Sequence, residues 1–377
     1  MSYRRTRALF QKELRHIVRD VRSLIMALAM PLVLLLLFGY ALNLDVDRVP
    51  TLVYDADRSP QSRELVERFR GSRFFDIRGE SPDQRGLERA IDERRVLLGL
   101  AIPRDYAQRL NAGRTAQIQA LLDGSDSNTA EITLGYVESL AGAYSFEVRA
   151  AAQNQRGGMR APAPLESRVR VWYNSTLQSR NYVVPGLIAV ILMIIAALLT
   201  SLTVAREWEM GTMEQLLSTP ARPAEIVLGK MLAFFLVGVA DTAMAVLVAV
   251  FVFEVPFRGE LWLLAITSGV FLCGALFWGI FISAAARSQL LAFQMGLLSS
   301  FLPAFLLSGF VYATENMPPV IQAITYVVPA RYFVTILKGV FLKGVGLNVL
   351  WPPILLLVVY AAVVFVAATR KLGEKLA

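Results

Sequence analysis

Residues 182–204 read Tyr182-Val-Val-Pro-Gly-Leu-Ile-Ala-Val-Ile-Leu-Met-Ile-Ile-Ala-Ala-Leu-Leu-Thr-Ser-Leu-Thr-Val204, a run of 23 residues without a charge. As a helix rising ~1.5 Å per residue it is about 35 Å long, enough to cross a hydrocarbon core of ~30 Å. Five further stretches are long and apolar enough, the third span alone among them carrying charges, at Lys230 and Asp241: Leu24–Leu42, Ile226–Phe253, Leu261–Ala286, Leu290–Val311 and Leu350–Thr369. The sequence therefore predicts a mainly α membrane protein with six transmembrane helices. Composition agrees, with 55% hydrophobic against 18% charged residues and a mean hydropathy of +0.50. Such a chain is too apolar for a soluble enzyme or a disordered segment.

The same composition limits the chemistry. Lys and Arg exceed Asp and Glu by 38 − 30 = 8. In a membrane protein that excess reflects cytoplasmic loops, and nucleic acid is not an expected partner. The single cysteine, Cys273, excludes an intramolecular disulfide, and the single histidine, His16, excludes a His-cluster metal site within the chain. Cys273 reads as a small apolar residue and His16 as a surface residue.

Basic residues beside the spans set an orientation. Arg4, Arg5, Arg7, Lys12, Arg15, Arg19 and Arg22 precede the first span, which predicts a cytoplasmic N-terminus. Arg206, Arg222, Lys230, Arg287 and the tail's Arg370, Lys371 and Lys375 fall on the same side, so the C-terminus is expected there too. Lys338 and Lys343 dissent. Residues 1–23 carry Leu9, Phe10, Leu14, Ile17, Val18 and Val21 along one helical side, which predicts an amphipathic helix on the cytoplasmic leaflet. A cleaved signal peptide is the rival reading, disfavoured by this patterning and by the length of the apolar run at 24–42.

Between the first two spans lies a polar insertion, 43–180, expected to fold as an α/β domain outside the cytoplasm. Thr51–Tyr54, Phe74–Ile77, Val96–Ile102, Gln117–Leu122 and Val169–Tyr173 read as strands. Gln61–Arg70, Pro82–Arg94, Arg104–Asn111 and Asn128–Gln155 read as helices, with Ser59 and Ser81 as caps. The transmembrane domain resumes at 181–377. Within it, 312–349 is interrupted by Pro318, Pro319 and Pro329, which predicts a re-entrant outer hairpin before the last span.

No G-x-x-x-x-G-K-[ST] run exists in the chain, so it carries no recognisable P-loop. The most informative polar stretch is the cytoplasmic connection at 205–225. There Arg206–Glu209 extends the second span and Gly211-Thr212 can turn and cap a short helix. Met213, Leu216 and Leu217 give that helix an apolar face, Pro220 stops it, and Pro223 with Glu225 opens the third span. The ordinary reading is a solvated connection. A short, charged and well-delimited helix also suits docking into a groove on a partner.

Arg206–Pro220 resembles the signature Arg-Glu-x-Glu-x-Gly-Thr-x-Glu-Gln-Leu-Leu-x-Thr-Pro of the permease subunits of ABC type-2 exporters, particularly the bacterial drug-export branch. Further matches are Leu36–Ala41, Asp123–Asp126, Val184–Leu187, Leu307–Phe310, Glu315–Pro319 and Pro329–Phe333, in order and over nearly the whole chain. Ser175 departs from the proline expected in Tyr-Asn-Pro. The resemblance implies a permease dimer, as homodimer or paralogous heterodimer, in the bacterial inner membrane. It also implies a separate ABC ATP-binding subunit that holds ATP and magnesium, a periplasmic membrane-fusion adaptor and an outer-membrane channel. By the same resemblance Arg206, Glu207, Glu209, Gly211, Thr212, Glu214, Gln215, Leu216 and Pro220 are ATPase-coupling positions, with the N-terminal helix as a second contact. No catalytic residue, metal or cofactor is expected on this chain, and its substrates are expected to be amphiphilic, drug-like or lipid-like.

Asp241, near the middle of the third span, sustains a rival reading as an ion-coupled antiporter. A membrane-anchored adaptor or sensor, resting on the polar insertion, and a broken-helix channel, resting on the proline-rich hairpin, also compete. Ionised and unpaired at mid-membrane, Asp241 would cost ~3 kcal/mol or more. It is therefore expected either to be hydrogen-bonded, to Gln294 or to a backbone carbonyl, or to face the substrate path. Ala275, Gly279 and Ser283 form a small-residue face that fits either packing within the chain or a dimer interface. Trp172, Tyr173, Tyr182, Trp262, Tyr312 and Trp351 suit an aromatic belt.

Overall fold

The computed structural model describes residues 2–42, 48–155, 173, 178–286 and 288–376. The expected strand at Val169–Tyr173, apart from Tyr173 itself, lies outside the described residues, as do Trp172 and Ser175. By internal contacts the chain divides into two units, Met1–Asn43 with Arg170–Ala377, and Leu44–Val169.

The first unit begins with helices α1 (Tyr3–Arg19) and α2 (Val21–Ala41). The second unit then runs β1 (Val49–Asp55), α3 (Pro60–Arg70), β2 (Phe75–Glu80), α4 (Gln84–Asp92), β3 (Leu98–Ile102), α5 (Tyr106–Asn111), β4 (Gln119–Leu122) and α6 (Ser127–Gln155). Its sheet has the order β2-β1-β3-β4, with β1 parallel to both neighbours and β4 antiparallel to β3. Val53, Leu65, Phe69, Leu98, Leu100 and Ile102 are buried at its core. Ser59 caps α3 as expected, its side chain accepting from Ser62 N at 3.1 Å. The cap of α4 is Asp83 rather than Ser81. The Asp83 carboxylate accepts from Gly86 N at 2.7 Å, while the Ser81 hydroxyl donates to the Asp83 carbonyl.

The first unit resumes with α7 (Ser179–Ser201), α8 (Thr203–Glu209), α9 (Thr212–Leu217), α10 (Pro223–Phe251), α11 (Leu261–Ala285) and α12 (Gln289–Leu307). It ends with α13 (Pro319–Thr325), α14 (Pro329–Lys338) and α15 (Leu347–Leu376). Six of the described helices are long and apolar enough to cross a membrane, beginning at Leu24, Ser179, Pro223, Leu261, Gln289 and Leu347. α13 and α14 with its following turn form a bent pair at 82°. Val328 is extended ahead of Pro329, because a residue before proline avoids the helical region. Tyr332 OH closes the bend by donating to the Tyr326 carbonyl at 2.6 Å.

Beyond its first turn α7 is apolar on every side. It is the central helix, 78% buried over its most apolar window against 17% for α2 and for α15. The small face of α11 packs within the chain, against α7. A Cβ at Gly279 would overlap Thr200 Oγ1 and the Ala197 carbonyl. Thr200 donates to the Leu276 carbonyl at 2.9 Å. The segments Val184–Leu187 and Leu307–Phe310 also meet, since a Cβ at Gly186 would run into the Phe310 ring. Lys338, one of the two dissenting cations, stands 3.5 Å from the centroid of the Tyr182 ring and donates to the Gly309 carbonyl at 3.2 Å. Trp262, Tyr312 and Trp351 are exposed.

Candidate functional site

The break between α7 and α8 leaves amides of a new helix start without partners in their own helix. Ser283 of α11 provides an acceptor, its hydroxyl receiving Val204 N at 2.9 Å and Ala205 N at 3.0 Å. α8 then ends at Glu209, and Gly211, at φ +68°, turns the chain through the left-handed region into α9. Met213 and Leu216 are buried beneath α9, whereas Met210, Glu214, Gln215, Ser218 and Pro220 are exposed. The segment is thus anchored on one side and open on the other.

The expected coupling residues divide between these sides. Glu207 turns inward: Lys12 Nζ donates to its Oε1 at 2.7 Å, and Lys230 Nζ lies 2.9 Å from its Oε2. Lys230 also donates to Glu13 at 2.9 Å, so two ammonium groups and two carboxylates close into one cluster joining α1, α8 and α10. Burial alone would lower the Lys12 ammonium, but its hydrogen bond to Glu207 and the Glu207 and Glu13 charges raise it above its ordinary 10.5. Glu209 turns sideways and accepts from Gln289 N at 2.7 Å at the start of α12. Arg206 reaches the same Gln289 through Nε, at 3.4 Å. Thr212 donates to the Glu207 carbonyl at 3.4 Å, and the Pro220 carbonyl accepts from Arg5. Glu214 and Gln215 are the coupling side chains that face outward from α9.

Sequence reasoning missed the partners of this segment. α1 lies along the first turns of α10, where a Cβ at Gly229 would come 2.6 Å from Leu9 Cβ. Buried Glu225 accepts from Ser2 N at 2.6 Å and Arg222 N at 3.0 Å, and pairs with Arg5 at 3.2 Å. A signal did exist for Glu13. It falls four residues after Leu9 and four before Ile17, on the apolar side of α1, where a carboxylate requires a partner.

Beneath the segment is a cavity of about 520 Å³. Its lining is mixed: Lys12, Glu207 and Lys230 are among the polar residues and Leu24, Leu198, Phe234, Val237 and Phe293 among the apolar ones. Asp241 lies farther along α10, 1% exposed, and its Oδ1 has no hydrogen-bond partner among the described residues. Gln294 is exposed on α12 and makes no bond to that oxygen.

Six of the described helices are long and apolar enough to cross a membrane, one of them buried at the centre and an exposed charged turn anchored to them, which is the architecture of a polytopic membrane protein. The chain belongs to the ABC-2 family transporter proteins, whose family profile it matches over residues 21–370. It is 36% identical over 370 residues to the probable multidrug ABC transporter permease YbhS of Escherichia coli (strain K12), covering 98% of this chain and 96% of that one. It is 33% identical over 375 residues to the probable multidrug ABC transporter permease YbhR of the same organism, covering 99% of each. A third relative, the E. coli inner membrane transport permease YhhJ, is 27% identical over 365 residues, covering 93% of this chain and 94% of that one.

Proposed function

We propose that this chain is the transmembrane subunit of an ATP-driven exporter, with separate ATP-binding subunits docked on the α8–α9 turn. The observation that carries the reading is the two-sidedness of that turn. Met213 and Leu216 fix it to the permease, while Glu214 and Gln215 are left on the outer face. ATP and magnesium are held by the partner, and this chain contributes no cofactor of its own. The names of YbhS and YbhR as probable multidrug permeases support drug-like, amphiphilic substrates. In this reading the permease pairs with a second copy or a paralogue in the inner membrane, surrounded by lipid. Both termini and α1 are cytoplasmic, residues 43–180 are periplasmic, and 312–349 form a re-entrant outer hairpin. A membrane-fusion adaptor and an outer-membrane channel complete the route.

The test is co-purification of the permease from its native membrane, with mass spectrometry of the bound subunits for a P-loop ATPase. Glu214→Lys should leave the permease in the membrane and abolish substrate-stimulated ATPase activity and export. Normal stimulation and export in the charge-reversed complex would overturn the assignment of the docking face.

A further inference from the structure

Tyr54 of β1, Ala101 of β3 and Gln119 of β4 form one cross-strand row, Tyr54 pairing with Ala101 and Ala101 with Gln119. Successive strand residues point to opposite faces. Val53, Leu100 and Ile102 enter the core of the α/β unit, so the row lies on the other face. α4 covers that face only in part. Leu87 packs over Gly99, where a Cβ would come 2.7 Å from its side chain, and the helix begins three residues earlier at Gln84. The next row toward the strand ends is left open, and its middle residue is an alanine between two long side chains. The result is a cleft of about 690 Å³, within the ~300–1,000 Å³ of small-molecule sites. Its place in the fold is also that of a ligand site. β1 leads through α3 to β2 on one side, and β3 leads through α5 to β4 on the other, so the connections part at their carboxyl ends. Ligands of open α/β sheets bind in the crevice at such a parting.

The lining selects the ligand. Tyr54, Gln84, Gln117 and Gln119 supply a phenol and three carboxamides, and none of these side chains is hydrogen-bonded among the described residues. A carboxamide both donates and accepts, which suits hydroxyl groups that do the same. The charges in the cleft are already matched, Arg109 Nε donating to Asp105 at 2.5 Å, so no net charge draws an ion in. The Tyr54 ring offers a flat apolar surface beside a polar tip, a fit for the C–H face of a pyranose. We propose that this cleft binds neutral saccharides. A sugar ring rests on Tyr54, and its hydroxyls bond to the carboxamides of Gln84, Gln117 and Gln119. The site lies wholly within the unit Leu44–Val169 and requires neither ATP nor a docked subunit, so it stands or falls apart from the exporter reading.

The experiment uses the purified full-length chain in lipid nanodiscs and saturation-transfer NMR titrations. Maltose, cellobiose and N,N′-diacetylchitobiose are the neutral probes, and glucuronic acid is the charged one. At least one neutral disaccharide should bind, and more tightly than glucuronic acid. Ala101→Leu, which fills the hollow between Tyr54 and Gln119, should weaken that binding at least tenfold, as should Tyr54→Ala by removing the ring. No response to any of the three disaccharides overturns the site, and so does wild-type affinity in Ala101→Leu. Tighter binding of glucuronic acid overturns the ligand class. Should Tyr54→Ala fail to fold, Gln119→Ala changes an exposed residue of the same row and should also weaken binding. Undiminished affinity in Gln119→Ala and Ala101→Leu together places the sugar elsewhere and refutes the proposal.

Discussion

Lys230 on α10 donates to Glu13 on α1 across 2.9 Å, and both residues are buried. The contact ties the N-terminal helix to the third span, and Glu207, 2.9 Å from the same ammonium, extends the tie to the turn proposed to meet the ATPase. Movement of α8 therefore cannot leave α1 and α10 undisturbed.

Replacing Lys230 by Met should expose the value of this tie. The substitution leaves two enclosed carboxylates with only the half-exposed Lys12 ammonium between them, so it should lose part of the ~3–5 kcal/mol that breaking a buried ion pair costs. A lower thermal midpoint in detergent and faster amide exchange across Tyr3–Arg19 are the expected results. Adding Glu13→Gln should recover part of the loss, because it removes one of the stranded charges.

Lys12 gives the cluster a pH dependence. Its ammonium is raised above 10.5 by Glu207 and Glu13 against the opposing effect of burial, so the folded state holds that proton more tightly than the unfolded chain. Its stabilisation of the α1 contact is complete below about pH 10 and is lost as the pH rises through the raised value. A spin label at Val18, on the exposed side of α1, should gain mobility over that interval. The gain should be smaller in Lys12→Met.

Packing between α7 and α11 supports a third prediction. Gly279→Ala gains about 1 kcal/mol of helix propensity. The added Cβ, however, meets the Ala197 carbonyl as well as Thr200 Oγ1, and backbone cannot rotate away as a side-chain tip can. Overpacking of ~1–3 kcal/mol should win. The thermal midpoint falls, while the analogous change at Gly142, where nothing lies within 4 Å of the new Cβ, leaves it unchanged or raises it.

The six long helices were legible because apolar runs of about twenty residues with at most two charges have few alternatives in a folded chain. Four of the five expected strands fall within three residues of β1–β4 at either end, because short apolar runs mark strand interiors better than their ends, and the fifth, apart from Tyr173, lies outside the described residues. Asp83 takes the α4 cap because its carboxylate reaches Gly86 N, a choice among adjacent polar residues that periodicity does not rank. Glu207 reads in sequence as a charged residue on the extension of the second span, one of the positions expected to meet a partner. Its partners Lys12 and Lys230 are joined to it only by tertiary folding, and the Lys230–Glu13 bond spans 217 positions in sequence. Pairings at such separation leave no local pattern. Asp241 was legible as an anomaly, but its isolation becomes visible only with Gln294 on the exposed side of α12.

The side of the membrane occupied by the α/β unit supplies the last prediction. Gln84, Asn111 and Ser218 are all exposed, so a cysteine at any of them is sterically open to a water-soluble thiol reagent. Cys273 is the chain's one native thiol and is removed as Cys273→Ala to give a clean background. With charged side chains at the α8–α9 turn and basic residues concentrated beside it, the turn should be cytoplasmic. α1 is tied to that turn through Lys12 and Glu207, and α2, which follows α1, is long enough to cross once before the α/β unit begins. An impermeant maleimide added to spheroplasts should therefore modify cysteines at Gln84 and Asn111 at once, and one at Ser218 only after the membrane is opened. Labelling of Ser218→Cys from outside would place the α8–α9 turn away from ATP and remove the basis for an ATPase docked there. Protection of Gln84→Cys and Asn111→Cys in intact spheroplasts would return the α/β unit to the cytoplasm and leave α2 as a helix that does not cross.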